Sequence, residues 1–195
     1  MRIFTAAAVL IALGCASCFN MSVGPNNPPV LKAEKSFASG GRIEMELSGG
    51  NYSIKPAAGD TIRVTFSGNT GNATADLNTN GSKATLTVKD TPHNNFNAVI
   101  EVPKTSDAVV RLAAGNLEMA ALTGSKDVDS QAGNVEITAG SPDNYASVDA
   151  TVKVGNLSGG SFGEPDGTLS HHLAWTGHGK YTLRASLGAG NLELK

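Results

Sequence analysis

Two nearly identical units follow each other between residues 110 and 137, and this repetition limits the folds open to the chain. Each unit alternates apolar and polar residues, turns at a Gly-Asn pair and continues as a short second strand. The pairs are Gly115-Asn116 and Gly133-Asn134. Gly accepts a positive φ without steric cost, and Asn tolerates it better than most residues. The repeat therefore predicts stacked β units, each with a corner at its Gly-Asn pair.

Further copies of the unit lie on both sides of this pair. Gly50-Asn51, Gly155-Asn156 and Gly190-Asn191 each follow a run of alternating apolar residues. From Gly115 onward the corner glycines are 18, 22 and 35 residues apart. The two shorter spacings suit one turn of a β-solenoid, in which each turn stacks on its neighbours.

Two hairpins are expected in addition to the repeat. Asn80-Gly81 between two alternating runs is a strong two-residue hairpin signal. The longest interval between corners leaves room for strands over residues 169–175 and 180–187, joined by a turn. The fold class predicted is therefore all-β: a single repetitive β-solenoid or β-helix-like domain of stacked short strands, with an antiparallel hairpin near the C-terminus.

The alternation also predicts which side chains form the core, because residues two apart lie on one face of a strand. The positions expected to point inward are Leu112, Leu117, Val135, Ile137, Val152, Val154 and Leu187.

The N-terminus resembles an export signal. Arg2 precedes a short apolar run over residues 6–13, which is too short to span a bilayer as a helix. Cys15 follows Ala12-Leu13-Gly14, an arrangement that resembles a bacterial lipoprotein signal, so lipidation is expected at Cys15. Ala12 departs from the usual Leu, and Cys18 is the alternative site. Both cysteines lie in this segment, so no disulfide is expected in the rest of the chain.

The domain organisation follows from this. Residues 1–18 are expected to be the lipoprotein-type signal segment, residues 19–39 a flexible tether broken by Gly and Pro, and residues 40–195 the repetitive β domain. The expected location is the cell envelope, as an exported lipoprotein held to a membrane by its N-terminal lipid, on the periplasmic side or at the outer-membrane surface.

Three stretches carry a family resemblance: the Gly-Asn-apolar-Glu units, Val102-Pro103-Lys104 before them, and the C-terminal stretch 175–192 that closes with Gly188-Ala189-Gly190-Asn191-Leu192. Together they resemble a bacterial envelope family of unknown function labelled "putative adhesin". The resemblance implies a solenoid-like fold over about residues 40–195, and it supplies no catalytic residues.

Composition narrows the function classes. The formal net charge is −2 and charged residues make up 16%, so no strong positive electrostatic field favours binding of nucleic acid.

No catalytic residue, cofactor or metal site is predicted. His171 and His172 are adjacent in a predicted strand and point to opposite faces, which does not suit a shared metal ion. The chain is expected to be a non-catalytic scaffold or adhesin-like binding module for an envelope protein or glycan; the alternative is an enzyme or binder of envelope polysaccharide.

The corner residues suggest two further features. Asn51, Asn116, Asn134, Asn156 and Asn191 are expected to stack as a side-chain hydrogen-bond ladder rather than to contact a ligand. If the units stack in register, Glu118 and Glu136 lie side by side. Solvent, a bound cation, or Lys126 or Arg111 should then offset their repulsion.

Overall fold

The computed structural model describes residues 28–195 and shows an all-β fold of thirteen strands. The part of the chain described has two short 3-10 turns (Pro142–Asn144 and Gly160–Phe162) and no α-helix, so no helix there could cross a membrane. The strands are β1 (Val30–Ser36), β2 (Arg42–Leu47), β3 (Gly50–Pro56), β4 (Thr61–Gly68), β5 (Thr74–Asn80), β6 (Lys83–Lys89), β7 (Phe96–Val102), β8 (Asp107–Leu112), β9 (Gly115–Met119), β10 (Lys126–Ile137), β11 (Tyr145–Ser158), β12 (His171–Thr176) and β13 (Tyr181–Leu194).

Six parallel rungs form the body of the fold. Three rungs are pairs of short strands (β6 with β7, β2 with β3, β8 with β9), and three are the long strands β10, β13 and β11, each of which passes through a corner. In space the rungs stack in the order β6/β7, β2/β3, β8/β9, β10, β13 and β11. β13 therefore lies between β10 and β11. Segments before the corner form a first wall and segments after it a second wall.

The rungs are in register at the corners. Gly133 lies beside Gly115 on one side and Gly190 on the other, and the stack continues to Gly50 and Gly155. The early copy of the unit predicted at Gly50 is therefore confirmed.

Antiparallel strands cover the ends of the stack. β4 pairs with β7 and β1 with β4, β5 pairs with β6, and β12 pairs with the first half of β11. β1 and β5 lie against each other, so the sheet nearly closes on itself. The predicted hairpin at Asn80-Gly81 is the turn between β5 and β6, where Gly81 has φ 58°.

The core lies between the two walls. Leu112, Leu117, Val135, Ile137, Val152 and Leu187 are buried as predicted. Val154 is not: it is 66% exposed, and the prediction for it was wrong. It directly precedes the corner Gly155, and at this place the chain turns its side chain outward, as at the exposed Ala132 and Ala189.

Corner glycines are required by close stacking as well as by φ. Gly133 has φ 130°, and a Cβ built on it would overlap the backbone carbonyl oxygen of Gly115 on the neighbouring rung. Gly190 stands in the same relation to Gly133. A side chain at these places would push two rungs apart.

The antiparallel hairpin predicted near the C-terminus is wrong. β12 and β13 do not pair with each other; β11 lies between them, antiparallel to β12 and parallel to β13. Their connection crosses the start of β11, where Gly177 N–H donates to the carbonyl of Ala146 at 3.0 Å. β13 carries its own Gly-Asn corner, which is in register with the corners of β10 and β11.

Part of the expected tether is a strand. Within residues 19–39 the structure describes residues 28 onward, and there Val30–Ser36 pairs with β4 while Phe37 is buried in the core. Most β1 side chains are exposed, so this strand is held by backbone pairing and carries no apolar alternation for a sequence pattern to detect. The regular structure therefore begins before residue 40.

Candidate functional site

A ladder of asparagine side chains runs along the corner of the stack. The side-chain amide of Asn191 donates to Oδ1 of Asn134 at 2.7 Å, and Asn134 donates to Asn116 at 2.8 Å. The ladder predicted from the five Gly-Asn pairs is confirmed. In spatial order it contains Asn156, Asn191, Asn134, Asn116, Asn51 and Asn97.

Asn97 is the member that the sequence did not reveal. It accepts from Nδ2 of Asn51 at 3.2 Å, but Phe96 occupies the place where the other rungs have glycine. Because Asn97 is not preceded by glycine, its sequence context shows only that it is the second residue of an alternating strand.

The ladder has a direction. Every side chain donates toward the β7 end, where Nδ2 of Asn97 reaches the backbone carbonyl of Asn95 at 3.5 Å. At the opposite end Asn156 donates to Asn191 at 2.8 Å, and within residues 28–195 nothing donates to its own Oδ1. Inner members thus make two ladder bonds and Asn156 makes one.

A row of carboxylates runs parallel to the ladder on the outer face of the second wall. Glu118, Glu136 and Glu193 occupy equivalent places on neighbouring rungs, and Ser53 lies beside Glu118. The predicted neighbourhood of Glu118 and Glu136 is confirmed.

The cation beside this row is Lys195. Its Nζ lies 2.9 Å from Glu136 Oε2 and 3.7 Å from Glu193 Oε2. These bonds raise the pKa of Lys195, with the hydrogen bond to Glu136 as the main cause. In the described residues Glu118 has no ion-pair partner.

Lys126 and Arg111, the cations suggested from the sequence for this role, lie elsewhere. Arg111 makes two hydrogen bonds of 3.0 Å to the carboxylate of Asp127 on the first wall. Lys126 is buried, with its Nζ 2.6 Å from the hydroxyl of Tyr145 and 2.9 Å from the carbonyl of Leu122. Burial lowers the pKa of Lys126 to about 8 and raises that of Tyr145 to about 12.

Between the ladder and the carboxylate row lies a groove of about 620 Å³, which we call the corner groove. It crosses five rungs, so at a strand spacing of about 4.8 Å it is roughly 19 Å long. Its lining consists of Asn51, Asn97, Asn116, Asn134, Asn191, Ser53, Glu118, Glu136, Glu193, Tyr52, Ala98, Val99, Leu117 and Val135.

Two hydroxyl groups in this lining have no hydrogen-bond partner. Ser53 is 9% exposed, and its Oγ is buried without a donor or acceptor beside it. The Tyr52 hydroxyl is in the same condition, and burial raises the pKa of Tyr52. The Tyr52 ring packs in the core against Phe96, on the opposite face of the strand from Ser53. Buried polar groups are usually paired, so the unpaired hydroxyl on the groove side, that of Ser53, marks a place for a polar ligand.

The other residues considered from the sequence do not converge. His172 Nε2 lies 3.6 Å from Asp149 Oδ2 on the outer face of the first wall, and its backbone pairs with Asp166. Within residues 28–195, no three His, Cys, Asp or Glu side chains are placed to hold one metal ion. Cys15 and Cys18 lie outside the described residues.

No protein-family model and no curated protein matches the sequence. Among solved structures the chain is similar to a putative cell adhesion protein from Clostridium sporogenes, with a TM-score of 0.52 and 13% identity over 86% of this chain and 100% of that one. At this identity the likeness shows a shared fold, which agrees with the family resemblance at that level.

Two further solved structures match more weakly. A putative lipid binding protein from Parabacteroides distasonis has a TM-score of 0.27 and 9% identity over 85% of this chain and 61% of that one. A putative adhesin from Bacteroides fragilis has a TM-score of 0.27 and 8% identity over 89% of this chain and 100% of that one.

Proposed function

We propose that the chain is a non-catalytic, exported and lipid-anchored β-solenoid module of the cell envelope, which binds an envelope component through its outer surface. The observation that carries the proposal is the in-register stack. It places identical side chains at a fixed spacing along an exposed corner, as the Asn ladder and the Glu row illustrate. The fold shared with a protein named for cell adhesion supports a binding role.

Export and anchoring rest on the N-terminal sequence. Cys15 follows small and apolar residues in the arrangement of a lipoprotein signal, and Cys18 is the alternative. A lipid on either cysteine would hold the domain at a membrane, and the Gly- and Pro-containing residues that follow would act as a spacer.

Membrane fractionation of cells that make the full chain tests the anchor. Cys15→Ser should move the protein from the membrane fraction to the soluble fraction, while Cys18→Ser should stay with the membrane. Release by Cys18→Ser alone would move the site to Cys18. Retention of the double variant would contradict a lipid anchor altogether.

The corner groove favours a second candidate, a protein that acts on or binds envelope polysaccharide. It offers repeated amides, hydroxyls and carboxylates to an extended polar chain. We favour binding over hydrolysis, because the three carboxylates lie in one row on one side. Most glycosidases need two carboxyl groups that flank the scissile bond. Release of reducing ends from envelope polysaccharide, lost in Glu118→Gln, would show the enzyme instead.

A further inference from the structure

We propose that the corner groove binds a linear polysaccharide that carries free, positively charged amino groups. This inference rests on the proposed binding role and specifies its ligand class. It follows from the charge of the groove, from the unused hydrogen-bonding capacity of the ladder and from the unpaired hydroxyl of Ser53.

The negative charge of the groove lining favours a positively charged ligand. Glu118, Glu136 and Glu193 line it, and Lys195 is the one cation in the described structure that pairs with them. Glu118 is exposed and without an ion-pair partner. The lining therefore keeps a net negative charge at neutral pH, which attracts ammonium groups and repels acidic polymers.

The ladder supplies neutral contacts. A primary amide has two N–H donors and two acceptor lone pairs, and an inner ladder member such as Asn116 uses one N–H and one lone pair on its neighbours. Each inner rung thus retains one donor and one acceptor, repeated about every 4.8 Å along the groove. Sugar hydroxyls, which both donate and accept, match this pattern.

Ser53 adds an independent sign of a ligand. Its side chain lies in the groove lining beside Glu118, more than nine-tenths buried, with an Oγ that has no partner. A serine hydroxyl changes direction by rotation about one bond, so it can turn toward a polar group in the groove. The unpaired hydroxyl lowers the stability of the folded chain, and a hydrogen bond to a ligand hydroxyl or amine would offset this loss.

A glycan fits this geometry better than a peptide. The groove crosses the strands on the outer face of the sheet, where neighbouring rungs already use each other's backbone groups. An extended peptide gains affinity chiefly from backbone pairing along a strand edge, which this face does not offer. Ligand recognition here must come from side chains, and a chain of hydroxyls and ammonium groups suits them.

Calorimetric titration of the full chain in detergent tests the proposal. The probes are a glucosamine oligomer, an N-acetylglucosamine oligomer of equal length and an oligolysine, at mildly acidic pH where the amines are charged. The glucosamine oligomer should bind, and the acetylated oligomer and oligolysine should bind much more weakly.

Glu118→Gln and Glu136→Gln should each weaken binding of the glucosamine oligomer about two- to fivefold, the range of an exposed charge pair. Glu46→Gln, an exposed carboxylate on the first wall, is the matched control.

Ser53→Ala separates binding from folding. It should raise the melting temperature, because it removes an unpaired buried hydroxyl, and it should weaken glucosamine binding. Ser130→Ala also removes an unpaired buried hydroxyl, but away from the groove, so it should raise stability and leave binding unchanged.

Three outcomes would overturn the proposal: no binding of the glucosamine oligomer, equal binding of the acetylated oligomer, or equal binding of oligolysine. Equal affinity in the Glu118 and Glu46 variants would also overturn it. None of these results bears on membrane release by Cys15→Ser, so failure of this inference is distinguishable from failure of the proposed anchor.

Discussion

The side-chain amide of Asn134 donates to the side-chain oxygen of Asn116 at 2.8 Å, although the two residues belong to successive units 18 positions apart in the chain. The bond forms because the Gly-Asn corners of β9 and β10 are in register. It is one step of a ladder that links all six rungs.

The ladder predicts a graded cost of removing its members. Asn134→Ala breaks two ladder bonds, and Asn156→Ala, at the open end, breaks one. At about 0.5–1.5 kcal/mol for each bond, we expect Asn134→Ala to lower the free energy of unfolding by about twice as much as Asn156→Ala. Urea denaturation measures both. An equal or larger cost at Asn156 would show that the ladder does not stabilise the stack.

Alanine substitutions at three glycines distinguish two causes of lost stability: a positive φ and steric overlap with a neighbouring rung. Gly59→Ala meets no atom within 4 Å and no positive φ, so we expect a change within about 0.5 kcal/mol. Gly81→Ala has open space but φ 58°, which should cost about 1–2 kcal/mol. Gly133→Ala adds overlap with the backbone of the neighbouring rung and should lower the free energy of unfolding more than either of the other two changes. A Gly133→Ala variant as stable as Gly81→Ala would contradict the close stacking.

Two aliphatic side chains test the position of the core. Leu117 is 2% exposed and Val154 is 66% exposed. Leu117→Ala should therefore lower the free energy of unfolding by about 2–5 kcal/mol. Val154→Ala should change it by less than about 0.5 kcal/mol. Thermal or urea unfolding of the two variants gives the comparison, and a large effect at Val154 would mean that the corner side chain is covered.

Buried Lys126 predicts an unusual dependence of stability on alkaline pH. Its pKa is about 8 in the folded chain against 10.5 for an ordinary Lys, so between these values the unfolded chain binds more protons. Stability should therefore rise as pH increases from about 8 to 10.5. Tyr145 acts oppositely, since its pKa rises from 10.0 to about 12 and stability falls over that interval.

Lys126→Met is the variant that checks this effect. It should abolish the rise above pH 8, measured as the urea midpoint against pH, while the decline above pH 10 remains. Lys180→Met, a change at an exposed lysine, is the control and should keep the rise. A rise that persists in Lys126→Met would assign it to another group.

The positions of the Gly-Asn corners could be predicted from the sequence, because corner residues and apolar alternation are local properties. Gly50-Asn51 was recognisable as an early copy by the same pattern that marks Gly133-Asn134. Asn97 escaped detection because Phe96 replaces the corner glycine. The alternation of buried and exposed side chains predicts an inward position for Val154, but the alternation ends before this residue, where the chain enters the corner.

The order of the rungs could not be predicted in the same way. Parallel pairing joins segments far apart in the chain, and nothing local places β13 between β10 and β11. The choice of ion-pair partners is equally non-local: Lys195 reaches Glu136 from the C-terminus. Lys126 did carry a local sign, since it is two residues from buried Val128 in an alternating strand.

Retention of the chain by immobilised envelope polysaccharide measures binding through the corner groove most directly. The wild-type chain and the Glu46→Lys control on the first wall should both be retained. The double variant Glu118→Lys and Glu136→Lys, which reverses the charge of the corner groove, should wash through. Equal retention of the double variant, or no retention of the wild-type chain, would contradict binding through this groove.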